Sequence, residues 1–188
     1  GGSITSFDKV YASKYLTEFI SNYYIIFRVA SIFQTITEVI FRKERFDITS
    51  RKIKKIYFKK ISSKIYFCFF ILLISYLLVS NIDPLISILN IIDIQHLISF
   101  FEILRIYKFE FFLIGLSFII NAIASLRYDL IYANYGKNFL IICNFLNFIV
   151  LLILLIIFAK SLETLCYTFF VVQIINYFAL EIINKKYS

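Results

Sequence analysis

Residues that form tight turns and solvated surfaces are scarce in this 188-residue sequence. Proline occurs once and glycine four times, and charged residues make up only 17% of the chain, against about 25% in a typical soluble domain. So few turn residues argue against a β-barrel, and so little charge argues against a disordered chain or a soluble enzyme. Methionine is absent and the chain begins Gly1-Gly2-Ser3, from which we expect a piece of a longer protein.

Cysteine and histidine are too scattered for a disulfide framework or a metal cluster. Cys68, Cys143 and Cys166 lie in apolar runs without CxxC spacing, and His96 is the single histidine. We therefore predict buried free thiols and neither a metal nor a cofactor. The sequence also lacks a nucleophile elbow, paired carboxylates and a phosphate-binding glycine loop. No catalytic residue is predicted, and an enzyme is disfavoured.

Apolar residues dominate, at 61% of the chain. They form runs that suit a bilayer core of roughly 30 Å, which about 20 helical residues cross. The sequence predicts an all-α polytopic transmembrane helix bundle, a single unit over 1–188. Its spans, about five in number, are expected at 11–41, 65–82, 109–127, 139–159 and 163–183.

Residues 85–108 lie between two of these spans and carry apolar side chains at helical spacing. The apolar positions are Leu97, Phe100, Phe101, Leu104 and Tyr107. This pattern favours an amphipathic helix lying on the membrane surface. A re-entrant segment is the alternative.

The formal net charge of +8 is concentrated in residues 42–64, which hold ten basic residues against Glu44 and Asp47. Such density is also typical of nucleic-acid binding. Because the segment lies between two apolar spans, we interpret it as a cytoplasmic loop under the positive-inside rule and expect no nucleic-acid partner. The loop is predicted to attract anionic membrane lipid, although orientation alone explains its charge equally well.

The first predicted span carries a polar stripe along one helical face. Its members are Glu18, Ser21, Arg28, Ser31, Thr35 and Glu38. Arg28 lies near the middle of the span, where a lone charge costs at least about 2.5–3.5 kcal/mol. No acid stands three or four residues from Arg28, so it requires water, an acid on another helix or an anionic ligand. An interhelical salt bridge and a cavity cation that binds phosphate both remain open.

The later spans contain amide pairs at helical spacing. Asn144 and Asn147 are three residues apart, and Gln173 and Asn176 repeat this interval. Amides in membrane helices commonly join neighbouring helices by hydrogen bonds. Contact with a polar substrate is the other interpretation.

The order and spacing of these features resemble the C-terminal half of polysaccharide flippases, the O-antigen (Wzx-type) branch of the MOP exporter superfamily. The resemblance covers roughly residues 7–186. The segments that carry it are Tyr11-Ala12 before a long helix with polar groups, the basic loop, IDPLISIL at Ile82–Leu89, FFEILRIYKFEFF, and YANYGKN at Tyr132–Asn138 before the span with Asn144 and Asn147.

This resemblance implies a multi-pass transporter of the cell inner membrane, one half of a MOP-type fold whose partner is an N-terminal half. It would flip a polyprenyl-diphosphate-linked oligosaccharide, an O-antigen or related unit, by alternating access. The expected cavity residues are Arg28, Glu18, Glu38, Ser31, Thr35, Asn144 and Asn147. A membrane glycosyltransferase or polymerase of the same pathway and a multidrug exporter of the same superfamily are the alternatives.

Overall fold

The structure, a computed structural model, describes residues 19–50, 58–135 and 137–186. These ranges contain helices and no strand, which confirms the all-α prediction. The seven helices are α1 (Ile20–Thr49), α2 (Phe58–Ser80), α3 (Asp83–Ile92), α4 (Gln95–Ile106), α5 (Lys108–Tyr135), α6 (Lys137–Phe158) and α7 (Leu162–Lys186).

Four stretches are long and apolar enough to cross a membrane. They are Ile20–Thr49, Ile61–Ser80, Lys108–Asn134 and Leu162–Ile183. The fifth predicted span, 139–159, coincides with α6, in which Asn144–Phe158 forms a shorter apolar stretch. By length and composition, the chain is a membrane protein. Its described part contains four candidate spans, whereas the sequence predicted about five.

Helix α5 lies at the centre of the bundle and packs on α1, α2, α4, α6 and α7. Its apolar side chains point in several directions, and Ile114, Phe118, Leu126 and Leu130 are all fully buried. A helix that is apolar all round is typically enclosed by other helices. The outer helices instead expose large apolar side chains, such as Tyr66 of α2, as expected of surfaces that face lipid.

The predicted loop at 42–64 is too wide. Helix α1 continues to Thr49 and α2 begins at Phe58, so only Ser50 and residues 51–57 separate them, and the latter lie outside the described residues. The helix continues because Phe41 and Ile48 extend its buried face by two further turns. The attraction of anionic lipid to this segment stays a prediction.

Three ion pairs join the helices at one end of the bundle. Arg45 Nε of α1 lies 2.8 Å from Asp129 Oδ2 of α5. Lys64 Nζ of α2 lies 2.7 Å from Glu44 Oε1 of α1, and Arg127 Nη2 of α5 lies 2.7 Å from Glu181 Oε2 of α7. Arg45 and Lys64, which the sequence assigned to the basic loop, therefore form ion pairs that join helix ends.

Helices α3 and α4 occupy the segment for which an interfacial helix was predicted. Pro84 stands in the first turn of α3, and Asp93 ends that helix in the left-handed region at φ 58°. Helix α4 packs on the main core of the bundle through Leu104 and on α3 through Ile98, and both side chains are buried. Arg105 Nη1 of α4 donates to Asp83 Oδ1 of α3 at 2.7 Å, and this hydrogen bond raises the pKa of Arg105.

Candidate functional site

The polar stripe of α1 faces away from the bundle core. Arg28, Thr35 and Glu38 are exposed and Ser31 is half-buried, whereas Ile26 on the opposite face is fully buried. This division follows from the helical period, which places residues three or four apart on one face. Glu18, the first predicted member of the stripe, lies outside the described residues.

Arg28 opens into a groove of about 880 Å³, which we call the Arg28 groove. Eight of its nine lining residues come from α1, among them Tyr24, Ser31 and Gln34, and α4 contributes Phe100. Within the described ranges the Arg28 guanidinium makes neither an ion pair nor a hydrogen bond. The described residues therefore do not form the interhelical salt bridge with Arg28 that the sequence allowed. The Arg28 guanidinium faces the groove.

Two other polar groups of the stripe, Ser31 and Glu38, form hydrogen bonds within their own helix. Ser31 Oγ donates to the Arg28 carbonyl at 2.6 Å, and Gln34 Nε2 donates to Glu38 Oε1 at 3.0 Å. Thr35 and Glu38 do not line the groove, whereas Gln34, which was not predicted, does. Gln34 is three residues from Ser31, so the same helical period contained the signal for it.

Asn147 belongs to a different part of the molecule from Arg28. It is buried in α6, and its Nδ2 donates to the Tyr128 hydroxyl of α5 at 2.9 Å and also to Asn176 Oδ1 of α7. The Tyr128 hydroxyl donates to the same Asn176 oxygen at 3.0 Å. These three residues form an interhelical cluster, so Asn147 joins helices here, as the first interpretation of the amide pairs expects, and the cavity role stays a prediction.

Asn144, three residues earlier on α6, is exposed and has no hydrogen-bonding partner among the described residues. It does not line the Arg28 groove. Asn144 and Asn147 therefore lie in different environments despite their regular spacing, and the cavity role of Asn144 stays a prediction.

We expect Asn147→Leu to reduce the stability of the bundle by about 1 kcal/mol, the size of a typical hydrogen-bonding contribution between membrane helices. The change removes one donor from the cluster with Tyr128 and Asn176. Thermal unfolding in detergent measures the loss. Asn144→Leu is the matched control and should unfold like the original protein, and equal loss in both variants would contradict a role for the cluster.

No group of three or more His, Cys, Asp or Glu side chains in the described part of the chain is placed to hold a metal ion. No protein-family model matches this chain, and neither a curated protein nor a solved structure matches it. The resemblance to flippases therefore stays a prediction. The assignment as a membrane protein depends on the four apolar helices alone.

Proposed function

We propose that this chain is one half of a membrane transporter that flips a lipid-linked oligosaccharide with a diphosphate linkage from one leaflet to the other. The observation that carries the proposal is Arg28, a cation on a helix capable of spanning a membrane, without a partner among the described residues. A charge at such a position is costly unless it meets water or an anion. A guanidinium suits phosphate oxygens because its fork of donors matches their geometry.

The surroundings of Arg28 support a binding role over a structural one. Tyr24, Ser31 and Gln34 line the groove beside it and supply groups that form hydrogen bonds. The charged side chains that hold helices together, such as Arg45, instead lie at the far end of α1. Arg28 and Arg45 are 17 residues apart, which corresponds to about 25 Å along a helix.

Alternating access requires a second bundle that closes over the cavity from the other side. The exposed stripe of α1 offers the surface for it, because Arg28, Thr35 and Val39 are all exposed. We therefore place the partner half against this face. In the proposed transporter, the inner membrane is the compartment, and the substrate is an O-antigen or related unit carried on a polyprenyl lipid.

Arg28→Ala should abolish surface polysaccharide in cells that depend on this protein, while the variant still inserts in the membrane. The expected loss follows because no other cation among the described residues lines the groove. Arg28→Lys should retain part of the activity, since it keeps the charge without the bidentate geometry. Staining of surface polysaccharide and quantification of the protein in the membrane fraction measure the two properties.

Arg42→Ala is the matched control, because Arg42 is an exposed arginine of the same helix that does not line the groove. Normal polysaccharide from Arg28→Ala would overturn the proposed role of this cation. Sugar transfer by the purified full-length protein would instead favour a glycosyltransferase or polymerase.

A further inference from the structure

A second concavity, the apolar crevice, lies next to the Arg28 groove. It has a volume of about 510 Å³ and is formed between α1, α2, α3 and α4, with one residue of α5. Its walls include Ile36 of α1, Leu78 of α2, Leu85 of α3 and Leu104 of α4. The crevice is therefore an open apolar surface bordered by several helices.

Among the described lining residues of the crevice two are polar, and each donates a hydrogen bond to a backbone carbonyl. Ser75 Oγ donates to the Ile71 carbonyl at 2.9 Å, and Asn81 Nδ2 donates to the Leu77 carbonyl at 2.8 Å. Both acceptors belong to α2. The crevice thus has little to offer a sugar or a hydrated ion, and it suits a hydrocarbon chain.

The two concavities are adjacent and share part of their lining. Val29, Ile32 and Phe100 line both of them. One end of the combined site therefore presents the guanidinium of Arg28, and the other end presents the apolar crevice. An amphiphile with an anionic head and a hydrocarbon chain matches this division of charge.

We propose that the apolar crevice binds the hydrocarbon chain of a lipid whose phosphate headgroup lies at Arg28. The ring of Phe100 separates the two parts and contacts the first carbons of the chain. This inference rests on the proposed function for its choice of a phosphate-bearing lipid, and it extends that function by giving the lipid chain a binding place in a crevice between the helices. The experiment that follows measures lipid binding and not translocation. The binding proposal and the proposed transport function can therefore be contradicted separately.

The chain contains no tryptophan, which permits a direct test. Phe100→Trp places the one tryptophan of this 188-residue chain where the groove meets the crevice, and tryptophan emission is recorded. The 188-residue variant is reconstituted in phosphatidylcholine vesicles that contain a minor fraction of chain-brominated lipid, either phosphatidic acid or phosphatidylcholine. Bromine quenches tryptophan only at short range, so quenching reports which chain occupies the crevice.

We expect brominated phosphatidic acid to bind next to the tryptophan about fivefold more strongly than brominated phosphatidylcholine, the preference that one basic side chain gives for an anionic headgroup. Arg28→Ala in the Phe100→Trp background should remove this preference. Equal quenching by the two lipids, or a preference that survives Arg28→Ala, would overturn the proposal.

Ile88→Trp provides the matched control, because Ile88 of α3 is exposed and lies outside the crevice. Both brominated lipids should quench this tryptophan equally, since it contacts bulk lipid alone. A preference for phosphatidic acid here equal to that at position 100 would show a general surface effect and count against the crevice. Leu85→Trp, on the same helix but inside the crevice, repeats the test if Phe100→Trp does not fold.

Inorganic phosphate distinguishes the two sources of the same headgroup chemistry. Added at the concentration of the brominated phosphatidic acid, it should leave the quenching preference in place, because it gains nothing from the crevice. Complete loss of the preference would mean that the site binds phosphate alone, which overturns the role of the crevice.

Discussion

Arg127→Leu should lower the free energy of unfolding by about 3 kcal/mol, because removing one partner of a buried ion pair leaves the other charge in an apolar environment. The Arg127 and Glu181 side chains are only 9% and 22% exposed, and their atoms Nη2 and Oε2 lie 2.7 Å apart. For a chain of this size, 1 kcal/mol corresponds to about 2–4 °C. Circular dichroism in detergent should therefore show Tm reduced by about 6–12 °C.

Arg105→Leu is the matched control for this prediction. Its ion pair with Asp83 has the same 2.7 Å distance, but the two side chains are 43% and 65% exposed. Solvent screens such a pair, so we expect no measurable change in Tm. Arg127→Leu combined with Glu181→Leu should recover most of the lost stability, since apolar replacements of a buried pair are often neutral. If Arg127→Leu alone leaves Tm unchanged, as we expect for Arg105→Leu, the buried pair adds no stability.

The positions of the long helices follow from the sequence because an apolar run of bilayer length has few alternatives to a helix. Each predicted span overlaps a helix of the structure, although the helix ends differ. The sequence prediction placed Glu44 and Arg45 in a loop because of the many charged residues there, whereas both lie in α1. Their partners, Lys64 and Asp129, are 20 and 84 residues away, and such pairing is visible only after the chain has folded.

The polar stripe around Arg28 could be predicted because a helical period is a local property. Phe100 could not, since it belongs to α4 and reaches the groove only through the packing of that helix beside α1. Asn147 shows a second limit of an argument from spacing. Its spacing from Asn144 suggested a shared surface, whereas burial on α6 directs Asn147 towards Tyr128 and Asn176. Periodicity thus identifies a face, and packing decides what that face contacts.

Gly115→Leu should destabilise the bundle by about 3 kcal/mol, the upper part of the usual range for overpacking a core. A Cβ atom at Gly115 of α5 would lie 2.6 Å from Leu72 Cδ1 of α2 and 3.2 Å from Phe33 Cδ2 of α1. Both neighbouring side chains are buried. A leucine here would therefore push α1 and α2 away from the central helix, and Tm of thermal unfolding in detergent measures the effect.

Gly115→Ala separates this steric effect from backbone propensity. Alanine gains about 1 kcal/mol over glycine within a helix, while its Cβ requires the flexible end of Leu72 to shift and the Phe33 ring to give by a few tenths of an ångström, so we expect little net change. Leu72→Ala alone should cost about 2–5 kcal/mol through the cavity that it leaves. Because the side chain introduced by Gly115→Leu would fill that cavity, the double variant with Leu72→Ala should be more stable than the sum of the single changes predicts. Strict additivity would mean that the two positions do not contact each other.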